Sequence, residues 1–288
     1  MLYVDIKEMK ILIVEDNRIN QAVLLGVLSN KGLSADVAGN GIEALSALNG
    51  APDNAPYQLI IMDCQMPKMD GYEATKAIRS GKAKQVHCDV PIIAMTANTM
   101  KGDRDKCIAV GMTDYTTKPV DADILHEKIA NCVGRDLGKP ESNKISQQSV
   151  LPTPEKKGCC KSSEGNDIEK NNSLSIDKSI VWDKDGFLKR IRNNEKLAKQ
   201  LISLFIKDMP ALQYELIEAM RSENFDDIVA FAHKMKGSSR NLGGNNLADI
   251  AREIEKSARI KNSNEILSLQ SDLTNEFEVL IQVLNEFL

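Results

Sequence analysis

Short apolar runs alternate with segments of helical hydrophobic period from about Lys10 to Val133. The runs are Ile11-Leu12-Ile13-Val14, Ala35-Asp36-Val37-Ala38, Leu59-Ile60-Ile61-Met62, Pro91-Ile92-Ile93-Ala94-Met95 and the weaker Asp114-Tyr115-Thr116-Thr117. The central runs are apolar without alternation, as strands covered on both faces should be. Between them lie helical stripes: Ile19, Ala22, Val23 and Val27; Ile42, Ala44, Leu45 and Leu48; Ile124, Leu125 and Ile129. Strand alternating with helix five times predicts an α/β domain with a doubly wound parallel sheet of five strands. Such a sheet carries its functional groups at the carboxyl ends of the strands.

The pattern changes twice more. Residues from Gly134 to about Ser175 have no aromatics and are rich in Lys, Ser, Asn, Glu and Pro. They cannot bury enough apolar area to offset ordering entropy, which predicts a flexible tether. About 40 residues of such chain span on the order of 35 Å root-mean-square. From about Ile180 onward every apolar pattern is helical: Leu197-Leu201-Leu204-Phe205, Leu212-Leu216-Ile217-Met220, Phe225-Ile228-Val229-Ala232-Met235, Leu247-Ile250-Ile254 and Ile266-Leu269-Leu273-Phe277-Leu280-Leu284. Breaks are expected at Pro210, Asn224 and Gly243-Gly244, and short loops between long helices predict an antiparallel four-helix bundle. The expected domains are 8–134, 135–178 for the tether, and 179–288.

A length of 288 residues suits two domains. A net charge of −4 is not the basic footprint of a nucleic-acid binder. No run reaches the ~18 apolar residues of a membrane span, and the N-terminus lacks the layout of a signal peptide. The six cysteines have no metal-ligand or disulfide-framework spacing, which predicts reduced thiols and a cytoplasmic setting, with Cys159-Cys160 exposed in the polar segment.

The strand ends bring the chemistry. Strand one leads to Glu15-Asp16, strand three ends in Asp63, strand four in Thr96, and strand five leads to Lys118-Pro119. Three carboxylates on one sheet edge repel unless a cation joins them. Mg2+ suits one or two carboxylates plus waters. With Lys118 it would neutralise the cluster, leaving the Thr96 hydroxyl and Lys118 to hold phosphoryl oxygens. Positioning and charge stabilisation are most of what phosphoryl transfer needs. Singly, each residue has a plainer role as helix cap or loop residue; the five together do not. A phosphatase of the haloacid-dehalogenase type would place an acid two residues after the aspartate, where Gln65 stands.

Asp63 is one candidate phosphoryl acceptor; a second is His233, inside an expected helix from about Phe225 to Asn241. It lies about 120° from the centre of the apolar stripe, on the boundary or outer face. Gly237 and Arg240 share its stripe. A helical glycine costs ~1 kcal/mol relative to alanine, and a bare patch beside the imidazole would let another protein approach. Lys236 can neutralise phosphoryl oxygens, and Ser238 and Ser239 can donate hydrogen bonds nearby. The plainer expectation for a lone histidine, shared by His87 and His126, is a surface position. No second ligand sits at i+4, which disfavours a metal at His233.

Residues 10–133 resemble a response-regulator receiver domain through Ile13-Val14-Glu15-Asp16-Asn17, Met62-Asp63-Cys64-Gln65-Met66-Pro67-Lys68-Met69-Asp70-Gly71, Ala94-Met95-Thr96-Ala97 and Tyr115-Thr116-Thr117-Lys118-Pro119. The resemblance implies a flavodoxin-like fold and phosphorylation of Asp63. It also implies Mg2+ held by Asp16, Asp63 and the Gln65 backbone carbonyl, with Glu15 acting through water. Thr96 and Lys118 would contact the phosphoryl group, and Tyr115 would change rotamer with Thr96. Residues 180–288 resemble a histidine phosphotransfer (HPt) domain through Ala232-His233-Lys234-Met235-Lys236-Gly237-Ser238-Ser239-Arg240-Asn241-Leu242-Gly243, which makes His233 the acceptor and Gly237 and Arg240 docking positions.

No nucleotide-binding loops and no DNA-binding output segment are recognisable in the sequence. The expectation is a phosphorelay with a sensor histidine kinase as donor and a downstream response-regulator receiver as acceptor, either free-standing or part of a hybrid kinase. The alternative is an interaction switch. In it Asp63 phosphorylation alters only the face containing Ala97, Met100, Ile108 and Tyr115, and His233 serves a different partner.

Overall fold

The computed structural model describes residues 9–96, 101–135 and 181–288. The tether expected between the domains, Cys159-Cys160, and Ala97 and Met100 of the switch face lie outside the described residues. The strands are β1 (Ile11–Val14), β2 (Ala35–Ala38), β3 (Leu59–Asp63), β4 (Ile92–Thr96) and β5 (Asp114–Thr117). They form one parallel sheet in the order β2-β1-β3-β4-β5. Between and after them run α1 (Arg18–Ser29), α2 (Gly41–Gly50), α3 (Gly71–Arg79), α4 (Lys101–Ala109) and α5 (Ala122–Arg135).

The apolar strand runs feed two cores. Ile11, Ile13, Leu59, Ile61, Ile93 and Met95 face α1 and α5. Leu12, Val14, Ile60, Met62, Ile92 and Ala94 face α2 and α3. Each fully buried aliphatic side chain contributes roughly 1.5–3 kcal/mol. Ile42 and Ile124, expected in the helix stripes, are exposed. His87, expected at the surface, is buried and accepts the Tyr57 N–H at 3.1 Å.

The second domain holds a short α6 (Lys184–Arg190), then α7 (Glu195–Arg221), α8 (Phe225–Leu242), α9 (Asn245–Arg259) and α10 (Ser263–Asn285). Each of the four long helices packs on the next, and α10 returns to α7, closing the bundle. Asn224 caps α8, and Gly243 ends it with φ +89. Pro210 does not break the chain as expected, because α7 runs through it. Proline removes one helical hydrogen bond and costs about 3 kcal/mol. Phe205, Met209, Leu216 and Met220 are buried on both sides of it, which holds the two halves to one core.

The bundle lies against α1. Leu197 packs on Gly26, where an added Cβ would stand 2.5 Å from both Leu197 methyl carbons. The core beneath α1 continues through these contacts into the bundle interior.

Candidate functional site

The parallel register brings the strand ends to one edge, with Val14 opposite Met62, Asp63 opposite Met95 and Thr96 opposite Thr117. The Lys118 ammonium donates to Glu15 Oε2 at 2.7 Å and to Asp63 Oδ2 at 2.6 Å. Its side chain is 9% exposed. Burial alone would lower the Lys118 pKa, but the carboxylates of Asp63 and Glu15 outweigh it and push it up. Burial pushes Glu15 up against the pull of Lys118, and burial followed by the charge of Glu15 pushes Asp16 up. Those directions fit a cluster holding more carboxylates than ammonium groups.

The cap of α1 frees the acids. Asn17, not Asp16, accepts the Ile19 and Asn20 N–H groups, at 2.9 and 3.3 Å. One oxygen each of Glu15, Asp16 and Asp63 lies within 4.8 Å of the others. Hard oxygen donors at that spacing fit a divalent cation such as Mg2+. Asp63 Oδ1 also accepts the Gln65 N–H at 3.1 Å, which sets the turn carrying the Gln65 carbonyl. Gly71 leaves room for that turn, since a Cβ there would strike the Asp63 carbonyl oxygen. Thr96 is buried at the end of β4. Tyr115 is half-buried, with the Lys128 ammonium 5.2 Å from its ring centre.

On the bundle, His233 lies midway along α8 at the edge of its buried face, as its angle on the helix predicts, with a side chain 16% exposed. Its Nδ1 is 3.2 Å from Glu255 Oε1 on α9. Lys236 donates to Glu255 Oε2 at 2.6 Å, and Arg259 to Oε1 at 2.6 Å. Burial would raise the Glu255 pKa, but His233 and Lys236 outweigh it and hold the carboxyl well below its usual range. An ionised Glu255 selects the Nδ1–H tautomer of His233 and leaves the lone pair on Nε2. The Lys236 ammonium also lies 3.3 Å from Nδ1, with another of its three N–H groups on Glu255 Oε2.

The two halves meet. Glu15, Asp16 and Lys118 line one small cavity with His233, Lys236 and Arg240. Lys234 pairs with Asp16 at 3.2 Å. Asn17 donates to the Lys234 carbonyl at 3.2 Å and to Ser238 Oγ at 2.7 Å, and Asn241 donates to Asn20 Oδ1 at 2.7 Å. Gly237 faces Asn20, with 3.3 Å between an added Cβ and the Asn20 amide nitrogen. The bare patch thus admits this chain's own first domain. Arg240 reaches the cavity rim while paired with Asp249 at 2.5 Å. Ser238 sits at the seam, but Ser239, expected near the site, is buried and its hydroxyl has no partner among the described residues.

Sequence reasoning missed Glu255, Lys234, Asn17 and Asn20. Glu255 lies on the neighbouring helix, 22 residues from His233, and only the bundle packing brings it there. Lys234 follows the histidine directly, but its partner is on the other domain.

Residues 11–130 match the response regulator receiver domain, and residues 200–285 match the Hpt domain. The signal transduction histidine-protein kinase BarA of Escherichia coli strain K12 is 26% identical over 259 residues, 90% of this chain and 25% of that protein. Hybrid signal transduction histidine kinase B of Dictyostelium discoideum is 43% identical over 129 residues, 42% of this chain and 6% of that protein. The chain therefore spans a quarter or less of the length of these relatives. A solved receiver domain of the sensor histidine kinase PA1611 from Pseudomonas aeruginosa, with a magnesium ion in its active site cleft, is 37% identical. It covers 44% of this chain and 98% of its own, with a TM-score of 0.39. No helix among the described residues is long and apolar enough to cross a membrane. The chain belongs to the two-component signalling proteins, with a response regulator receiver domain followed by an Hpt domain.

Proposed function

We propose that the chain relays a phosphoryl group between Asp63 and His233. Asp63 would receive it from a phosphohistidine on a sensor histidine kinase, and His233 would hand it to a receiver aspartate on a downstream response regulator. The observation that carries this reading is the shared cavity, which has Glu15, Asp16 and Lys118, the hydrogen-bond partner of Asp63, on one side and His233 on the other.

The residues divide the work. A carboxylate oxygen of Asp63 attacks the donor phosphorus, and the P–N bond breaks back to a neutral imidazole. Lys118 holds Asp63 in place and offsets the added charge, and the Thr96 hydroxyl offers a hydrogen bond to a phosphoryl oxygen. For the second step the Nε2 lone pair of His233 attacks phosphorus, the P–O bond breaks, and the Asp63 carboxylate is restored. The imidazole gains positive charge while keeping its Nδ1–H, and Glu255 stabilises that charge. Lys236 stands beside the incoming oxygens. Asp16, Asp63 and the Gln65 carbonyl, with Glu15 through water, would hold Mg2+. When bound, the ion supplies charge neutralisation at the phosphoryl oxygens. Tyr115 would follow Thr96 as the phosphorylated state forms.

Wild type, Asp63→Ala and His233→Ala are incubated with a phosphorylated hybrid-type kinase core and Mg2+, and phosphate is located by its lability. Phosphohistidine survives base, whereas acyl phosphate does not. The relay predicts base-stable phosphate in wild type and none in either variant. Base-stable phosphate persisting in Asp63→Ala would support the interaction-switch alternative, with two modules serving separate partners.

A further inference from the structure

Cys64 follows Asp63 directly, and its sulfur lies 3.7 Å from that of Cys107 on α4. Both side chains are buried in the same core. The Tyr72 hydroxyl lies 4.0 Å from the Cys107 sulfur. The relay gives neither thiol a task. A disulfide needs a sulfur separation of about 2.05 Å, so the pair must close by less than 2 Å. Rotation about the Cα–Cβ bonds can supply much of that distance. Access is also present, because Cys64 and Tyr72 line a cavity of about 390 Å³ between the domains. The other two described thiols are placed differently: Cys132 lies in the opposite core, and Cys88 follows the 3-10 turn Gln85–His87.

We propose that Cys64 and Cys107 form a modification site, a reversible disulfide made by a small peroxide that enters this cavity. One cysteine attacks a peroxide oxygen as its thiolate, the O–O bond breaks, the sulfur becomes a sulfenic acid, and the departing oxygen takes up the thiol proton and leaves as water. The second thiol attacks that sulfur, the S–S bond forms, and a second water leaves. Two thiols are oxidised, and one peroxide is reduced to two waters. A dithiol reductant reverses the change by thiol–disulfide exchange. The bond ties α4 to the residue beside Asp63. Its formation does not depend on the relay.

The full chain is treated with a small excess of hydrogen peroxide, its free thiols are alkylated under denaturing conditions, and it is digested without reductant for mass spectrometry. The expected product is a linked pair of peptides containing Cys64 and Cys107, about 2 Da lighter than their sum and separated by dithiothreitol. Cys88 and Cys132 should be recovered alkylated. Recovery of Cys64 and Cys107 as alkylated thiols would overturn the proposal, leaving two small apolar core groups. Accumulation of sulfinic acid at either one without the linked peptide would overturn it as well.

Discussion

Lys118→Met should destabilise the metal-free receiver domain by about 3–5 kcal/mol, the cost of removing one partner from a buried ion pair. Lys118 is the only cation among the described residues recorded in an ion pair with Glu15 or Asp63, both of them buried. Methionine keeps most of the side-chain volume, so the loss is of charge rather than packing. Urea unfolding with and without Mg2+ measures it. Part of the loss should return with the metal, because a second cation then compensates the same acids. A change under about 1 kcal/mol, the range of exposed pairs, would show that solvent reaches this cluster freely.

Gly26→Trp should slow transfer from phosphorylated Asp63 to His233 roughly 100-fold, the order expected when reacting groups are displaced by about an ångström. The space beside Gly26 is filled by the Leu197 methyl groups, and a large side chain there must lever the bundle off α1. Gly26 lies outside both acceptor clusters, so the chemistry of each should persist. Single-turnover transfer on the isolated chain reads the effect. Pairing the change with Leu197→Ala should restore part of the rate by vacating the space. An unchanged rate in Gly26→Trp would mean that the seam at α1 does not position the acceptors.

Much of this was legible in the chain. The buried parallel strands show as runs without alternation, and their polar ends converge because a parallel sheet sends every carboxyl end to one side. The boundary position of His233 follows from its angle on the helix. Pro210 misled because a local rule met a global core: side chains buried on both sides of the proline hold α7 together. His87 misled because nothing nearby signals that the Tyr57 backbone would need a buried acceptor. Glu255, Lys234 and the asparagines of α1 were not legible, since each gains its meaning from a partner on another helix or the other domain. Gly237 stands between these cases. The need for close approach could be read from the sequence, but its occupant, Asn20 of the same chain, could not.

The proposal that Asp63 passes its phosphoryl group to His233 of the same chain is tested most directly by dilution. Wild type phosphorylated at Asp63 is followed in single turnover as phosphate appears on His233, over a wide range of protein concentration. Contact within the chain predicts a rate independent of concentration, and a mixture of Asp63→Ala and His233→Ala chains that falls behind as it is diluted. A wild-type rate falling in proportion to concentration would contradict the account and place the transfer between molecules.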